Sequence, residues 1–417
     1  MLFATLALLV PAMLSVIASP GVAAPRERDR NHPAETIVEL APGTDPTLAA
    51  AELGVTPRHV YTDVITGFAA ELPADAIARV RADRRVIAVE PDRKVRVQGK
   101  PVANADSGPA VQGQRMPTGV ARIGTPEEPT TIDVDVAVVD TGVGPHNDLN
   151  IVGGYSCVSA SKPGKQSSNS KPVYSDGESH GTHVAGIIGA KDNDKGVVGV
   201  APGARIWAVR VLNSNGTGSW SDVVCGLDWV YKQRNTIDLV NMSLAGNGED
   251  TGTCTDAAVH KAICRLVRSA GIPVVVAAGN QSKRASTRIP AAYSEVIAVS
   301  AFSDSDSQPG QLGPDTCYKI EDDSFWLYSN YGDAVDIAAP GDCIISTVPG
   351  GLATYSGTSM ATPHVTAAIA RYLALENPAA TPDDVRTWLL TVASRSQQSD
   401  KGFTGGKSSE PALWLGA

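Results

Sequence analysis

The chain of 417 residues is long enough for two or three domains, and at 42% hydrophobic and 19% charged it can bury a substantial core, which excludes wholesale disorder. Its 44 acidic residues against 35 basic ones leave a net charge of −9, without the basic excess that marks a nucleic-acid-binding protein, so that class is set aside. Only 5% of residues are aromatic while 40 are glycine, a balance that suits an α/β fold with many tight turns.

The first 24 residues carry no ionisable side chain, and Leu2 to Ile17 are almost wholly apolar. Small residues from Ser19 to Ala24 then precede the charged run Arg26 to Arg30. This is the layout of a secretory signal peptide cleaved near Ala23 or Ala24, although the usual basic start is missing. An uncleaved anchor is the alternative, disfavoured by Pro11 and Pro20. Residues 25–35 read as a charged lead. Export gives meaning to Cys157, Cys225, Cys254, Cys264, Cys317 and Cys343, because oxidising surroundings favour disulfides. Six cysteines allow many pairings. Closeness in sequence favours Cys254–Cys264 and Cys317–Cys343, leaving Cys157–Cys225, with buried free thiols as the other reading. Were Cys254 and Cys264 on one helix, about 15 Å would separate them, too far to bond. Cys254 is therefore expected in a loop folded back on the helix.

From residue 36 the pattern alternates. Thr36–Leu40 is strand-like, 46–53 an Ala-rich helix, Val60–Leu72 strand-like, 75–83 helical and Val86–Val97 strand-like. The order β-α-β-β-α-β predicts a small ferredoxin-like α+β domain over 36–98. Residues 99–112, polar and rich in Gly, Pro and Ala, read as a linker. From 113 to 417 apolar strand-like runs recur at 132–139, 205–211, 237–244, 273–277, 295–301 and 334–339. Helix-like stretches lie between them near 180–190, 219–234 and 255–270, and after them near 358–375 and 382–394. Non-alternating apolar runs separated by helices predict a parallel sheet covered on both faces, a three-layer α/β sandwich.

In such sheets functional groups gather at the carboxyl ends of the strands. The run Ile132–Val139 ends in Asp140-Thr-Gly142, and a carboxylate there needs a hydrogen-bond partner to stay ionised. Ser179-His180-Gly-Thr-His183 then opens an apolar helix, and Ser356-Gly-Thr-Ser359 opens another. A serine at a helix N-terminus sits beside backbone N–H groups that can receive negative charge developing on a carbonyl. Singly these are a turn carboxylate, a pair of histidines at zinc-ligand spacing and a helix cap. Together, in the order Asp, His, Ser on one sheet, they match a nucleophilic triad.

Three segments, Val138-Val-Asp-Thr-Gly142, His180-Gly-Thr-His-Val-Ala-Gly186 and Gly357-Thr-Ser-Met-Ala-Thr-Pro363, resemble the signature blocks of the subtilisin-like serine proteases. Residues 36–97, with Gly67-Phe-Ala-Ala-Glu-Leu72 and Val86-Ile-Ala-Val-Glu-Pro91, are similar to that family's inhibitory propeptide. The resemblance implies a secreted, monomeric endopeptidase acting on proteins or peptides and made as a zymogen. It assigns Ser359 as nucleophile, His180 as general base and acid, Asp140 as the group that orients the imidazole, and His183 to a structural part. Asn280, after Val274-Val-Val-Ala-Ala-Gly279, resembles the oxyanion-hole asparagine.

The same resemblance places the substrate between two strands. Ser243, Leu244, Ala245 and Gly246 would form one, with Ala245 narrowing the P1 pocket, and Gly216, Gly218 and Trp220 the other, with Trp220 as the S4 wall. Around the P1 pocket floor, at about 282–290, the sequence departs from the family; Lys283, Arg284 and Arg288 there could admit acidic side chains, and the P1 preference is left open. No cofactor is implied for catalysis. A structural Ca²⁺ is implied, held by side-chain oxygens of Gln114, Asp148 and Asn193 and by carbonyls of Lys191, Lys195 and Val197. Self-cleavage is expected within 98–113, the propeptide then acting as the enzyme's own inhibitor.

Overall fold

A computed structural model describes residues 33–102, 113–125, 131–158, 173–252, 254, 257–398, 402–407 and 409–416. The expected signal peptide and most of the expected linker lie outside them. The first domain contains β1 (Ala34–Leu40), α1 (Pro46–Glu52), β2 (His59–Tyr61), β3 (Gly67–Leu72), α2 (Ala74–Ala82) and β4 (Val86–Pro91), in an antiparallel sheet ordered β2-β3-β1-β4. Asp45 caps α1 by accepting the N–H groups of Thr47 and Leu48, and Pro46 occupies the first turn, where its missing donor costs nothing. Strand alternation gives this sheet two buried faces. Val38, Phe68 and Ala70 meet the domain's own helices, while Ile37, Tyr61 and Ala69 join the core of the second domain.

The single run expected over Val86–Val97 divides at Asp92-Arg93. After it, β5 (Lys94–Val97) and β6 (Lys100–Pro101) leave the first domain and pair with strands of the second. Part of the expected linker is therefore ordered strand. The second domain continues with α3 (Thr118–Arg122), β7 (Asp135–Asp140), β8 (Asn150–Ser156), α4 (His180–Gly189), β9 (Arg205–Arg210), β10 (Thr217–Ser219), α5 (Trp220–Lys232), β11 (Leu239–Met242), β12 (Leu244–Asn247) and α6 (Ala258–Cys264). It closes with β13 (Val274–Ala277), β14 (Arg288–Ile289), β15 (Ile297–Phe302), β16 (Ile337–Pro340), β17 (Ile344–Val348), β18 (Gly351–Ser356), α7 (Thr358–Leu375) and α8 (Pro382–Gln398).

Seven parallel strands form the centre, ordered β16-β15-β13-β11-β7-β9-β8. Their side chains alternate between two cores: Val136 and Val138 face α4, α7 and α8, while Ala137 and Val139 face α5 and α6. Burial on both sides explains the unbroken apolar runs, each fully buried valine contributing about 1.5–3 kcal/mol. Three disulfides, Cys157–Cys225, Cys254–Cys264 and Cys317–Cys343, tie loops to this frame. Cys254 does lie ahead of α6 and folds back onto its last residue, with 6.0 Å between the Cα atoms. No helix among the described residues is long and apolar enough to cross a membrane.

Candidate active site

β7 delivers Asp140, fully buried, to the carboxyl end of the sheet. Its two carboxylate oxygens lie 2.9 and 3.0 Å from His180 Nδ1, and Thr141 N–H donates to Oδ1. His180 opens α4, whose first turn is tied down by Asp176. That carboxylate accepts from the N–H groups of Glu178, Ser179 and Thr182 and from the hydroxyls of Thr141 and Thr182. Glu178 accepts the N–H of His180 itself. A Cβ at Gly181 would meet Gly142 O at 2.1 Å, so only glycine lets the helix start so close to the turn after Asp140. Burial pushes the His180 pKa down, but Asp140, with Glu178 and Asp176 behind it, outweighs that and holds it above 6.5.

Ser359 lies in the first turn of α7, with its N–H free to point into the cleft. Pro363, four residues on, has no N–H for the Ser359 carbonyl; Ser243 Oγ donates to that carbonyl instead, at 3.0 Å. Ser243 is held by Asn241 Nδ2, and Asn241 Oδ1 accepts from the Thr366 hydroxyl. The Ser359 hydroxyl donates to Ser243 O at 3.0 Å, and the buried His180 Nε2 has no partner among the described residues. The expected serine–histidine hydrogen bond is therefore open in this state. A Cβ built on Gly99 would meet His180 Nε2 at 2.9 Å and Ser359 Cβ at 3.1 Å, so the imidazole and the serine both border the backbone at Gly99.

The cleft is filled by the chain's own residues 94–102. β5 lies antiparallel between β10 and β12, pairing Val95 with Gly218, Arg96 with Thr217 and Ala245, and Val97 with Leu244. Val97 N–H donates to Gly216 O and Gln98 N–H to Ser243 O. Trp220 is buried with Val95 in one cluster, and Gly246 leaves room for its ring, a Cβ there meeting it at 2.8 Å. Beyond the crossing, Lys100 and Pro101 pair with Ser356 and Tyr355 of β18. Between these two stretches the carbonyl oxygen of Gln98 receives Ser359 N–H at 3.0 Å and Asn280 Nδ2 at 2.5 Å. Thr358 N–H and Oγ1 both donate to Asn280 Oδ1, which fixes its amide with nitrogen towards the cleft. Gly357, at φ 151, leaves the space that carbonyl occupies, since a Cβ would stand 2.4 Å from it. An extended peptide thus crosses the site with one bond, Gln98–Gly99, beside hydroxyl, imidazole and two aimed donors.

Residues 131–407 match the family described as Subtilase family, and residues 39–98 match Peptidase inhibitor I9. The chain is similar to Subtilisin NAT of Bacillus subtilis subsp. natto, 37% identical over 339 residues covering 79% of this chain and 76% of that one. It belongs to the subtilase family. A subtilisin of Bacillus pumilus is 39% identical over 290 residues, 67% of this chain and 92% of that one. A cold-adapted subtilisin-like serine proteinase of known structure aligns with TM-score 0.53 and 31% identity over 72% of this chain and 98% of that one. The chain is accordingly a serine endopeptidase with an I9-type domain ahead of its catalytic domain.

Other expected residues of this subtilase fall into place unevenly. His183 stacks on Tyr355 with ring centroids 4.4 Å apart, and its Nε2 lies 3.1 and 3.0 Å from the carbonyls of Ile344 and Ala353. Burial pushes its pKa down to about 3, which makes it a neutral structural group. Gln114 reaches Lys191 O, while Asn193 Nδ2 and Val197 N–H reach the Asp148 carboxylate. The Lys195 N–H donates to Asn193 Oδ1, and Lys191 Nζ turns away to Asn147 O. The Asp148 carboxylate, the two amides and the Lys191 carbonyl form an oxygen-rich set, which suits Ca²⁺ only with the amides turned over. The basic floor is corrected: of Lys283, Arg284 and Arg288, only Arg288 lines the cavity beside Gln98, and it bonds Asn247. The backbone of Arg284 instead bridges to Tyr331. Asp176, Glu178, Thr358, Gln281 and Asn330 were missed from sequence, because each acts through a contact that only folding creates.

Proposed function

We propose that this subtilase is secreted as a zymogen that cuts its own Gln98–Gly99 bond and then hydrolyses extended segments of other proteins. The observation that carries this reading is the Gln98 carbonyl, seated on Ser359 N–H and the Asn280 amide. Ser359 Oγ attacks that carbon while His180 Nε2 takes its proton, and Asp140 holds the imidazole and stabilises its positive charge. Negative charge moves onto the carbonyl oxygen, where the two donors already point. The intermediate collapses as His180 returns the proton to the Gly99 nitrogen, which leaves Gln98 esterified to Ser359. A water deprotonated by His180 then frees the Gln98 carboxylate.

After the cut the prodomain stays bound as inhibitor through a face that joins Ile37, Tyr61 and Ala69 to the second domain's core and adds polar contacts around them. Asp228 accepts the N–H groups of Thr62, Asp63 and Val64, and Glu90 accepts that of Ala258. Arg58 and His59 pair with Asp222, and Lys261 with Glu39. The apolar segment before Ala24 supports export. A fluorophosphonate probe tests the reading: it should label Ser359 of the processed enzyme and should not label a His180→Ala variant. Absence of labelling in the processed wild type refutes the triad.

Only neutral His180 can act as base, so kcat/KM should rise with pH. The raised pKa puts the midpoint of that limb above 6.5. Departure of β5 from the cleft relieves part of the burial that opposes this shift, which moves the limb further the same way. A midpoint at or below 6.5 on a non-ionising peptide would mean that burial, not Asp140, dominates the imidazole.

We also assign a structural Ca²⁺ to the loop of Gln114, Asp148, Lys191, Asn193, Lys195 and Val197. At free Ca²⁺ a hundredfold above Kd, binding stabilises the fold by about 2.7 kcal/mol. Chelation should therefore lower Tm by several degrees, and Asp148→Ala should abolish the difference between the two conditions. Equal Tm with and without chelator rules the ion out.

A further inference from the structure

The side chain of Gln98, only 3% exposed, ends in a chain of amides whose polarity is set by backbone at both ends. At one end the N–H groups of Gln281 and Lys283 both donate to Asn330 Oδ1, each at 3.0 Å. Asn330, fully buried, must then turn Nδ2 the other way, where it donates to Ala278 O and to Gln281 Oε1. Gln281 is left with Nε2 facing the cleft, and it donates to Gln98 Oε1 at 3.0 Å. At the other end Gln98 Nε2 donates to the carbonyls of Arg96 and Val97. No amide in the series can be turned over without setting acceptor against acceptor. The adjoining cavity of about 470 Å³ is lined by Gln98 and other residues of its own segment on one side and by Asn247, Gln281 and Arg288 of the second domain, with Ala245 and Gly246, on the other.

We infer that Gln281, fixed by Asn330, selects substrates by the side-chain amide of the residue before the scissile bond, so that glutamine is favoured at P1 over both glutamate and leucine. The inference deepens the endopeptidase reading and rests on it. Glutamate keeps the acceptor that Gln281 needs but sets its second oxygen against the carbonyls of the two residues before it in the bound peptide, the places of Arg96 and Val97 here, where Gln98 puts a donor. Leucine supplies neither partner and leaves the Gln281 amide unpaired when water is excluded. A site built around such a hydrogen bond discriminates more sharply than a pocket measuring size.

The test uses the full-length chain after self-processing and a peptide series differing only at P1. Glutamine is expected to exceed leucine and glutamate in kcat/KM by about tenfold or more. In Gln281→Met the glutamine-to-leucine ratio should fall towards one. In Gln281→Glu, which cannot donate, glutamine should lose its lead and lysine should gain. Leucine matching glutamine in the wild type, or a ratio unmoved by Gln281→Met, overturns the inference while fluorophosphonate labelling of Ser359 leaves the endopeptidase reading intact. Glutamate outrunning glutamine also overturns it, because selection would then belong to Arg288. A processed protein that neither labels nor hydrolyses any peptide overturns both.

Discussion

Replacing Ser359 by alanine should leave a chain still joined across Gln98–Gly99, whereas the wild type should yield an enzyme beginning at Gly99. Residues 94–102 are paired to β10, β12 and β18 on both sides of that bond, which holds its carbonyl against the two donors. Such placement turns a bimolecular attack into an internal one, worth about 7–11 kcal/mol of barrier. Loss of the nucleophile should lower kcat by about 10⁶-fold, the size found on removing this serine from a subtilisin, a member of the same family. Self-cleavage then becomes slower than any practical purification. Intact mass and N-terminal sequencing read the result directly. An isolated Ser359→Ala chain already cut at this bond sinks self-processing, and a wild-type enzyme starting elsewhere shows that another bond is used. Since alanine removes only a hydroxyl whose partner is Ser243 O, the fold itself should survive.

The strands of the central sheet were legible because both of their faces are buried, so each wrote an apolar run into the sequence. The exception is β8, an edge strand carrying Gly153 and Gly154 where a strand ordinarily shows β-branched residues. A Cβ on Gly154 would meet Ala208 O at 2.1 Å, so closeness to β9 demands the glycine that hides the strand. Asp140, His180 and Ser359 stood out as motifs, since each stands at the start of a helix or the end of a strand with its own glycine pattern. The bond presented to them was not. It depends on the register of residues 94–98 between two strands more than a hundred positions away, and no local pattern encodes register. The amide series through Gln281 and Asn330 was hidden for the same reason. Gln281 follows the recognised asparagine directly, yet its orientation is decided by a residue on a distant loop. Charge misled in the other direction: Lys283 and Arg284 are adjacent in sequence to the pocket but absent from its lining.

Asn280→Asp and Asn280→Ala should separate the two things this side chain does. Its Nδ2 donates to the Gln98 carbonyl, while its Oδ1 accepts from Thr358 N–H and Oγ1 and so braces the start of α7. Alanine removes both, whereas aspartate can keep the brace while losing the donor. Because the contact strengthens as the oxygen gains charge, its loss should fall on kcat with little change in KM. The expected drop for alanine is about 10²–10³, a magnitude taken from the equivalent asparagine of a subtilisin and therefore from this same family. Aspartate should be at least as slow, since it sets a negative group beside the developing oxyanion, yet its Tm should stay nearer the wild type. The precursor of either variant should accumulate uncut for long enough to be seen on a gel. A rise in KM at constant kcat means that Asn280 serves ground-state binding alone. If the alanine variant retained full kcat, Ser359 N–H would be carrying the oxyanion unaided, and the donor seen 2.5 Å from Gln98 O would have no part in the reaction.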